Sequence, residues 1–188
     1  YDEEAIKANV RKLIKAFDWA KDFKEYFAVK ATPNPYIMKI LKAEGVGADC
    51  SSLPELLLCE KVGISGDDII FSSNDTPYQE FAKAMELGAI INIDDITMID
   101  FLEANGPIPD RICMRYNPGP LLKDGNDIIG TPEESKYGLT RDQIFEAMAI
   151  LKQKGVKRFG LHTMVVSNEL NAYGLLNTAK MMFELAVE

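Results

Sequence analysis

Short apolar runs alternate along this chain with stretches whose apolar residues recur at helical spacing. The runs lie at 26–29, 46–48, 69–71, 90–93, 112–114 and 159–161. The first five recur about every 21 residues, the length of one strand–helix unit. Helical patterns fill the intervals at 35–44, 54–61, 78–87, 96–104 and 141–154. Another helix opens the chain, with Asp2 placed to cap it and Glu3 and Glu4 at the positive end of its dipole. Its apolar residues Ile6, Val10, Leu13, Ile14 and Phe17 share one face. Pro35, Pro54 and Pro77 stand at or near helix starts, and Gly45, Gly63, Gly88, Gly106 and Gly155 near helix ends.

A repeated strand–helix–strand unit predicts a parallel sheet with right-handed crossovers. A closed barrel and an open doubly wound sheet compete for that pattern. The glycine fingerprint of dinucleotide binding is missing, since the 45–50 segment lacks the third glycine and precedes its strand core. Polar residues instead follow many different strands: Lys30, Asp49, Ser72 to Asn74, Asp94 and Asp95, Arg115 and Asn117, and His162 and Ser167. A barrel gathers such strand ends around one mouth, so the pattern favours a (β/α)8 TIM barrel. Only six strand–helix units are counted, so the barrel reads as incomplete. The chain opens on Tyr1 rather than Met and stops at Glu188 within an apolar helical pattern, which reads as a fragment. Residues 117–139 break the period with glycine, proline and aspartate, and are expected to form a functional loop over the mouth.

Composition narrows the chemistry. The 188 residues are 47% hydrophobic and 27% charged, a globular balance. With 21 Lys and Arg against 29 Asp and Glu, the net charge of −8 argues against nucleic acid or an anionic membrane surface as partner. No apolar run approaches the roughly 18 residues of a membrane span, and no secretory signal is visible. Three cysteines without a CxxC spacing, and one histidine, leave no expected metal site and suggest a reducing, cytoplasmic setting.

Lys30 closes an apolar strand and precedes two prolines that stop strand pairing. Pointing at a barrel mouth, it would be desolvated toward the neutral amine that a Schiff-base lysine needs. A lysine snorkelling out of a strand end is the plainer reading. Asp49 and Arg115 end two further strands and would meet across the mouth, either as a structural ion pair or as groups fixing a cofactor's polar edge. Residues 51–55 read mainly as a helix cap with an early glutamate, and residues 72–74 could equally cap the next helix. His162, Met164 and Val166 alternate along the sixth strand with Ser167 just beyond, where its hydroxyl and loop amides suit phosphate oxygens. His162 alone would equally fit a satisfied core position. Asp95 is better placed as a helix cap than as a metal ligand.

Together these strings resemble the fold-type III pyridoxal-phosphate decarboxylases, in the diaminopimelate decarboxylase branch. YFAVKATPNP at 26–35 resembles (Y/F)AVKANPNP, and GADCSSLPE at 47–55 resembles GADVSSxGE. FSSN at 71–74 resembles FSGN, RYNPG at 115–119 resembles RVNPG, and SKYG at 135–138 resembles SKFG. The strings keep the family's order and spacing along essentially the whole chain. The resemblance implies an alanine-racemase-like barrel over residues 1–188, followed in the family by a β-domain beyond this sequence. It implies pyridoxal 5′-phosphate held covalently by Lys30, with Asp49 and Arg115 lining the pyridine and Schiff-base region and Ser167 binding phosphate. It further implies a homodimer that decarboxylates meso-diaminopimelate, a small amino acid, to L-lysine.

The sixth-strand string departs from the family. GLHTMVVSN at 160–168 stands where the family has GLHCHIGSQ, so Met164 replaces the histidine that stacks on the cofactor ring. A thioether packs on an aromatic face but neither donates a hydrogen bond nor carries charge. His162, two positions back, is the group that would partly compensate. The glycine-rich phosphate loop and the glutamate that the family sets against the pyridine nitrogen do not appear in these 188 residues, so the chain alone is expected to be a poor catalyst. Rival readings are a sibling decarboxylase of ornithine, arginine or carboxynorspermidine, and a catalytically silent binding or regulatory homologue.

Overall fold

A computed structural model describes residues 1–119, 135–165 and 169–188. Strands and helices alternate as the periodicity predicts. In order they are α1 (Glu3–Ala16), β1 (Tyr26–Ala28), α2 (Pro35–Ala43), β2 (Gly47–Cys50), α3 (Leu53–Val62), β3 (Ile69–Ser72), α4 (Tyr78–Glu86) and β4 (Ile90–Ile93). Then follow α5 (Met98–Asn105), β5 (Arg111–Arg115), α6 (Arg141–Gln153), β6 (Arg158–His162) and α7 (Ala172–Val187). The chain divides into two compact units, Tyr1–Ile91 and Asn92–Glu188.

In the first unit, β1, β2 and β3 are parallel neighbours, with Ala28 opposite Asp49 and Asp49 opposite Ile70. Apolar residues of the strands and of the crossover helices form its core, including Val29, Ala48, Ile69, Phe71, Leu56 and Phe81. Phe71 and Phe81 meet edge to face at 5.8 Å. Burying a side chain such as Phe81 contributes roughly 2–3 kcal/mol, far more than the edge-to-face geometry adds. Helix α1 starts where expected, with Asp2 Oδ1 accepting from the Ala5 amide at 3.1 Å. Its stripe is only half used. Ile6 and Val10 pack on Ile37, Leu41 and Val46, while Leu13 and Ile14 remain exposed. The Arg11 guanidinium then joins α1 to the end of α2 through two bonds to Glu44, at 2.7 and 2.6 Å.

Gly47 shows why β2 begins with glycine. A Cβ there would lie 2.6 Å from the Tyr26 ring and 2.7 Å from the Asp68 carbonyl oxygen. That ring is held by its own hydroxyl, which donates to the Asp67 carbonyl at 2.6 Å. Neither neighbour is a loose side-chain tip, so nothing yields cheaply.

In the second unit β5 and β6 run parallel, with Arg115 opposite His162 at their C-terminal ends. Ile112, Met114, Ile144, Ala147 and Leu151 are buried between this pair and α6. Helix α6 opens on a reciprocal capping box. Thr140 Oγ1 accepts from the Gln143 amide at 3.3 Å, and Gln143 Oε1 accepts from the Thr140 amide at 2.9 Å. Helix α7 buries none of its residues and leaves Tyr173, Leu175 and Phe183 exposed.

Several expectations need correction. The apolar run 26–29 is not strand throughout, because pairing ends at Ala28 and residues 29–31 form a 3-10 turn. Ser72, Ser73 and Asn74 do not supply the N-cap of α4, which begins at Tyr78 directly after Pro77. Met164 does not continue β6, which ends at His162. Val166, Ser167 and most of the long 117–139 segment lie outside the described residues, so the lid expectation rests on the sequence alone.

Introducing a methyl group at the Gly47 position therefore overpacks the start of β2. Gly47→Ala is expected to destabilise the chain by about 1–3 kcal/mol, read as a lowered denaturant midpoint at unchanged m-value. An unchanged midpoint would contradict the close approach described here.

Candidate functional site

The polar residues of interest stand at the C-terminal ends of parallel strands in both units. In the first unit, backbone pairing of β1 ends opposite Asp49, and the chain turns through Val29–Ala31 with the Thr32 amide donating to the Val29 carbonyl at 3.1 Å. Val29 is fully buried and anchors the turn. Asn34 then caps α2, its Oδ1 accepting from the Tyr36 amide at 2.8 Å. Lys30 is thus set between a buried valine and a rigid proline–asparagine–proline entry to a helix. Its side chain is exposed, not desolvated as the strand placement had implied.

Asp49 is the carboxyl that feels Lys30. Burial pushes it up from the ordinary 3.8 to about 6, the Lys30 charge pulls it partly back, and the Glu55 charge pushes it further up. Glu55 is buried at 7% exposure. Its oxygens accept from the Ser51 amide at 3.1 Å, the Ser51 hydroxyl at 3.1 Å and the Ser52 hydroxyl at 2.7 Å. The expected capping by these serines is therefore inverted, because their hydroxyls serve the glutamate. The amide of Leu53, first in α3, is satisfied instead by Glu80 of α4 at 2.9 Å. The 51–55 string builds a rigid polar floor directly after Asp49.

In the second unit, Arg115 and His162 are register partners, and the Tyr116 amide donates to the His162 carbonyl at 2.7 Å. Burial, and after it the Arg115 charge, lower His162 from the ordinary 6.5 to about 4. The imidazole is neutral at physiological pH, and among the described residues its buried Nδ1 has no hydrogen-bond partner. Met164 lies beyond β6 and is 44% exposed. Beside it, Thr163 Oγ1 donates to the Tyr116 carbonyl at 2.9 Å.

The carboxylate found at Arg115 is Asp94, at the end of β4, with Arg115 Nη1 to Asp94 Oδ1 at 2.8 Å. Within the second unit this pair anchors the guanidinium. Sequence reading passed over Asp94. Its signal was available, as a carboxylate closing a continuous apolar strand ahead of Asp95, but the pair was read only against metal binding and capping. Asp95 is not the cap expected of it, since the N-cap of α5 is Thr97; it instead accepts from the Thr97 amide at 2.7 Å and from its hydroxyl at 2.6 Å. Among the described residues no group of three His, Cys, Asp or Glu converges as a metal site would require.

An apolar cavity of about 480 Å³ lies elsewhere in the second unit, lined by residues such as Met114, Met148, Phe159 and Phe183. None of the described candidate residues lines it. Among the described residues no helix is long and apolar enough to cross a membrane.

Residues 3–188 match the pyridoxal-dependent decarboxylase, pyridoxal binding domain. Protein TabA of Pseudomonas amygdali pv. tabaci is 35% identical over 185 residues, covering 98% of this chain and 43% of that protein. The diaminopimelate decarboxylase of Deinococcus radiodurans is 32% identical over 167 residues, or 89% of this chain and 42% of that protein. The crystal structure of Helicobacter pylori diaminopimelate decarboxylase, complexed with L-lysine, matches with a TM-score of 0.89 at 25% identity. That match covers 99% of this chain and 48% of the solved one. The chain spans less than half the length of these relatives. Its α/β fold is that of the barrel-type N-terminal domain of fold-type III decarboxylases.

The two perturbed groups give opposite pH signatures. Asp49 holds its proton more tightly folded than unfolded, so its contribution is full below about 3.8 and is lost as pH rises through about 6. His162 resists protonation when folded, so its contribution is full above 6.5 and is lost as pH falls through about 4. Asp49→Asn is expected to stabilise the chain at pH 7 and to flatten the loss between pH 4 and 6. His162→Gln is expected to flatten the acid loss instead. Denaturant midpoints measured across that range check both, and identical profiles for all three proteins would refute the burial described.

Proposed function

The chain belongs to the pyridoxal-dependent decarboxylases, through their pyridoxal-binding domain, and on that premise we propose that it is the cofactor-holding part of a diaminopimelate decarboxylase. The parent enzyme would take meso-diaminopimelate, a small amino acid, to L-lysine and CO₂, and would work as a homodimer in the cytoplasm. The observation that carries this reading is the Lys30 side chain, exposed at the end of β1 with its charge acting on the Asp49 carboxyl.

The residues present fit pyridoxal phosphate. A primary amine open to solvent is available for condensation at Lys30. The buried, unpartnered Nδ1 of His162 offers a hydrogen-bonding position beside Arg115. When bound, the cofactor supplies an electron sink for the pair left behind as the carboxylate departs. In this reading Lys30 is the covalent anchor, and Asp49 balances its charge. With its carboxyl held at about 6, Asp49 exchanges a proton near neutral pH. Arg115, held by Asp94, would present its guanidinium to the cofactor's polar edge. His162 would contribute a neutral ring, Met164 would pack its thioether against the pyridine, and Ser167 would take the phosphate.

Met164 favours a second reading. A thioether in place of the family's histidine suits a sibling decarboxylase acting on another amino acid, or a silent homologue whose fold outlived its chemistry. Turnover of the intact polypeptide on diaminopimelate, ornithine and arginine separates these.

Adding pyridoxal phosphate to the chain is expected to produce a visible absorbance band that Lys30→Ala lacks. Borohydride reduction of the wild-type mixture should then fix the label on the peptide holding residue 30. Equal spectra from both proteins, or a label on another lysine, would overturn the assignment.

A further inference from the structure

Asp94 is buried at 4% exposure, and its two oxygens do different work. Oδ1 accepts from Arg115 Nη1 at 2.8 Å, and Oδ2 accepts from the Gly138 amide at 3.4 Å. Resting on the reading of Arg115 as a cofactor-side group, we propose that Asp94 is a positioning residue: it sets the Arg115 guanidinium and clamps residues 135–139 to the end of β5.

The clamp is built from both sides. The Arg115 guanidinium lies over the Tyr137 ring, 4.8 Å from its centroid. Asn117 Nδ2 donates to the carbonyls of Ser135 at 3.3 Å and Tyr137 at 2.8 Å. The Leu139 amide donates to the Arg115 carbonyl at 2.8 Å, and the Asn117 amide to the Leu139 carbonyl at 2.8 Å. Gly138, at φ +85°, lets the segment come this close, since a Cβ there would lie 3.1 Å from the Arg115 carbonyl oxygen. The side chain of Arg115 is only 12% exposed. Without Asp94 it would be a nearly buried cation lacking its counter-charge, free to reorient toward solvent. The same loss would release Gly138. One carboxylate thus ties the aim of Arg115 to the placement of the segment that returns from residues 120–134.

An ordinary structural ion pair would lower stability without touching cofactor binding through Arg115. The two are separated by hydrogen exchange at residues 138 and 139 and by pyridoxal phosphate titration, on the full chain. Asp94→Asn is expected to speed exchange at both amides and to weaken cofactor affinity, each on the order of tenfold. Asp94→Glu should restore most of both effects, and Asp94→Asn should cost no further affinity in an Arg115→Met background. Wild-type exchange or wild-type affinity in Asp94→Asn overturns the proposal, as does a loss that adds in full to that of Arg115→Met. If the wild-type chain itself takes up no pyridoxal phosphate, the cofactor reading of the previous subsection falls. Exchange then decides the clamp alone: loss in Asp94→Asn with recovery in Asp94→Glu sustains it, and equal protection sinks it. Should Asp94→Asn fail to fold, Arg115→Lys takes its place, with severalfold faster exchange at Gly138 expected and unchanged exchange overturning the clamp.

Discussion

Parallel pairing brings the C-terminal ends of neighbouring strands to the same side of a sheet. That constraint organises everything else in each unit. Backbone hydrogen bonding stops there, the chain must leave toward a helix, and side chains at the exit escape the apolar alternation below them. Lys30 and Asp49 emerge together because Ala28 is in register with Asp49. Arg115 and His162 emerge together because they are themselves opposite one another. Chemistry placed at these exits needs no long loop to assemble it, only a register fixed by the core beneath.

That core was largely legible from apolar periodicity and from the proline and glycine punctuation around it. Each strand lies within a few residues of its apolar run, and Pro35 and Pro54 occupy the first turns of α2 and α3. Boundaries decided by hydrogen bonds were harder to read. A run of four apolar residues does not reveal that the last one, Val29, has left the ladder to close a 3-10 turn. Nor does a Ser-Ser-x-x-Glu string show which partner donates, and Glu55 is here the acceptor of both hydroxyls. The Asp94–Arg115 pair was hidden for another reason. Its members are 21 positions apart, one full repeat, so only the folded register makes them neighbours.

The candidate site is not optimised for stability. Asp49 is kept in a setting that disfavours its charge, and His162 keeps a buried ring nitrogen without a partner among the described residues. Each is the sort of buried polar group that ordinary cores avoid or satisfy. By contrast Glu55, more deeply buried than either, is served by its serines and the Ser51 amide. The molecule therefore satisfies a supporting carboxylate while leaving the groups nearest the proposed chemistry unsatisfied. Such selective dissatisfaction is what a binding surface awaiting polar contacts looks like.

The turn at residues 29–31 carries its own implication for how the lysine is aimed. A side chain on a strand inherits its direction from the pleat, and a shift of one residue sends it to the opposite face. Lys30 sits off the pleat, and its backbone direction is governed by the local bond between Thr32 and Val29. Slippage or repacking in the preceding three-residue strand would therefore not by itself invert the amine. The lysine's bearing is insulated from the sheet that carries it, much as a compass needle is independent of the hull beneath it.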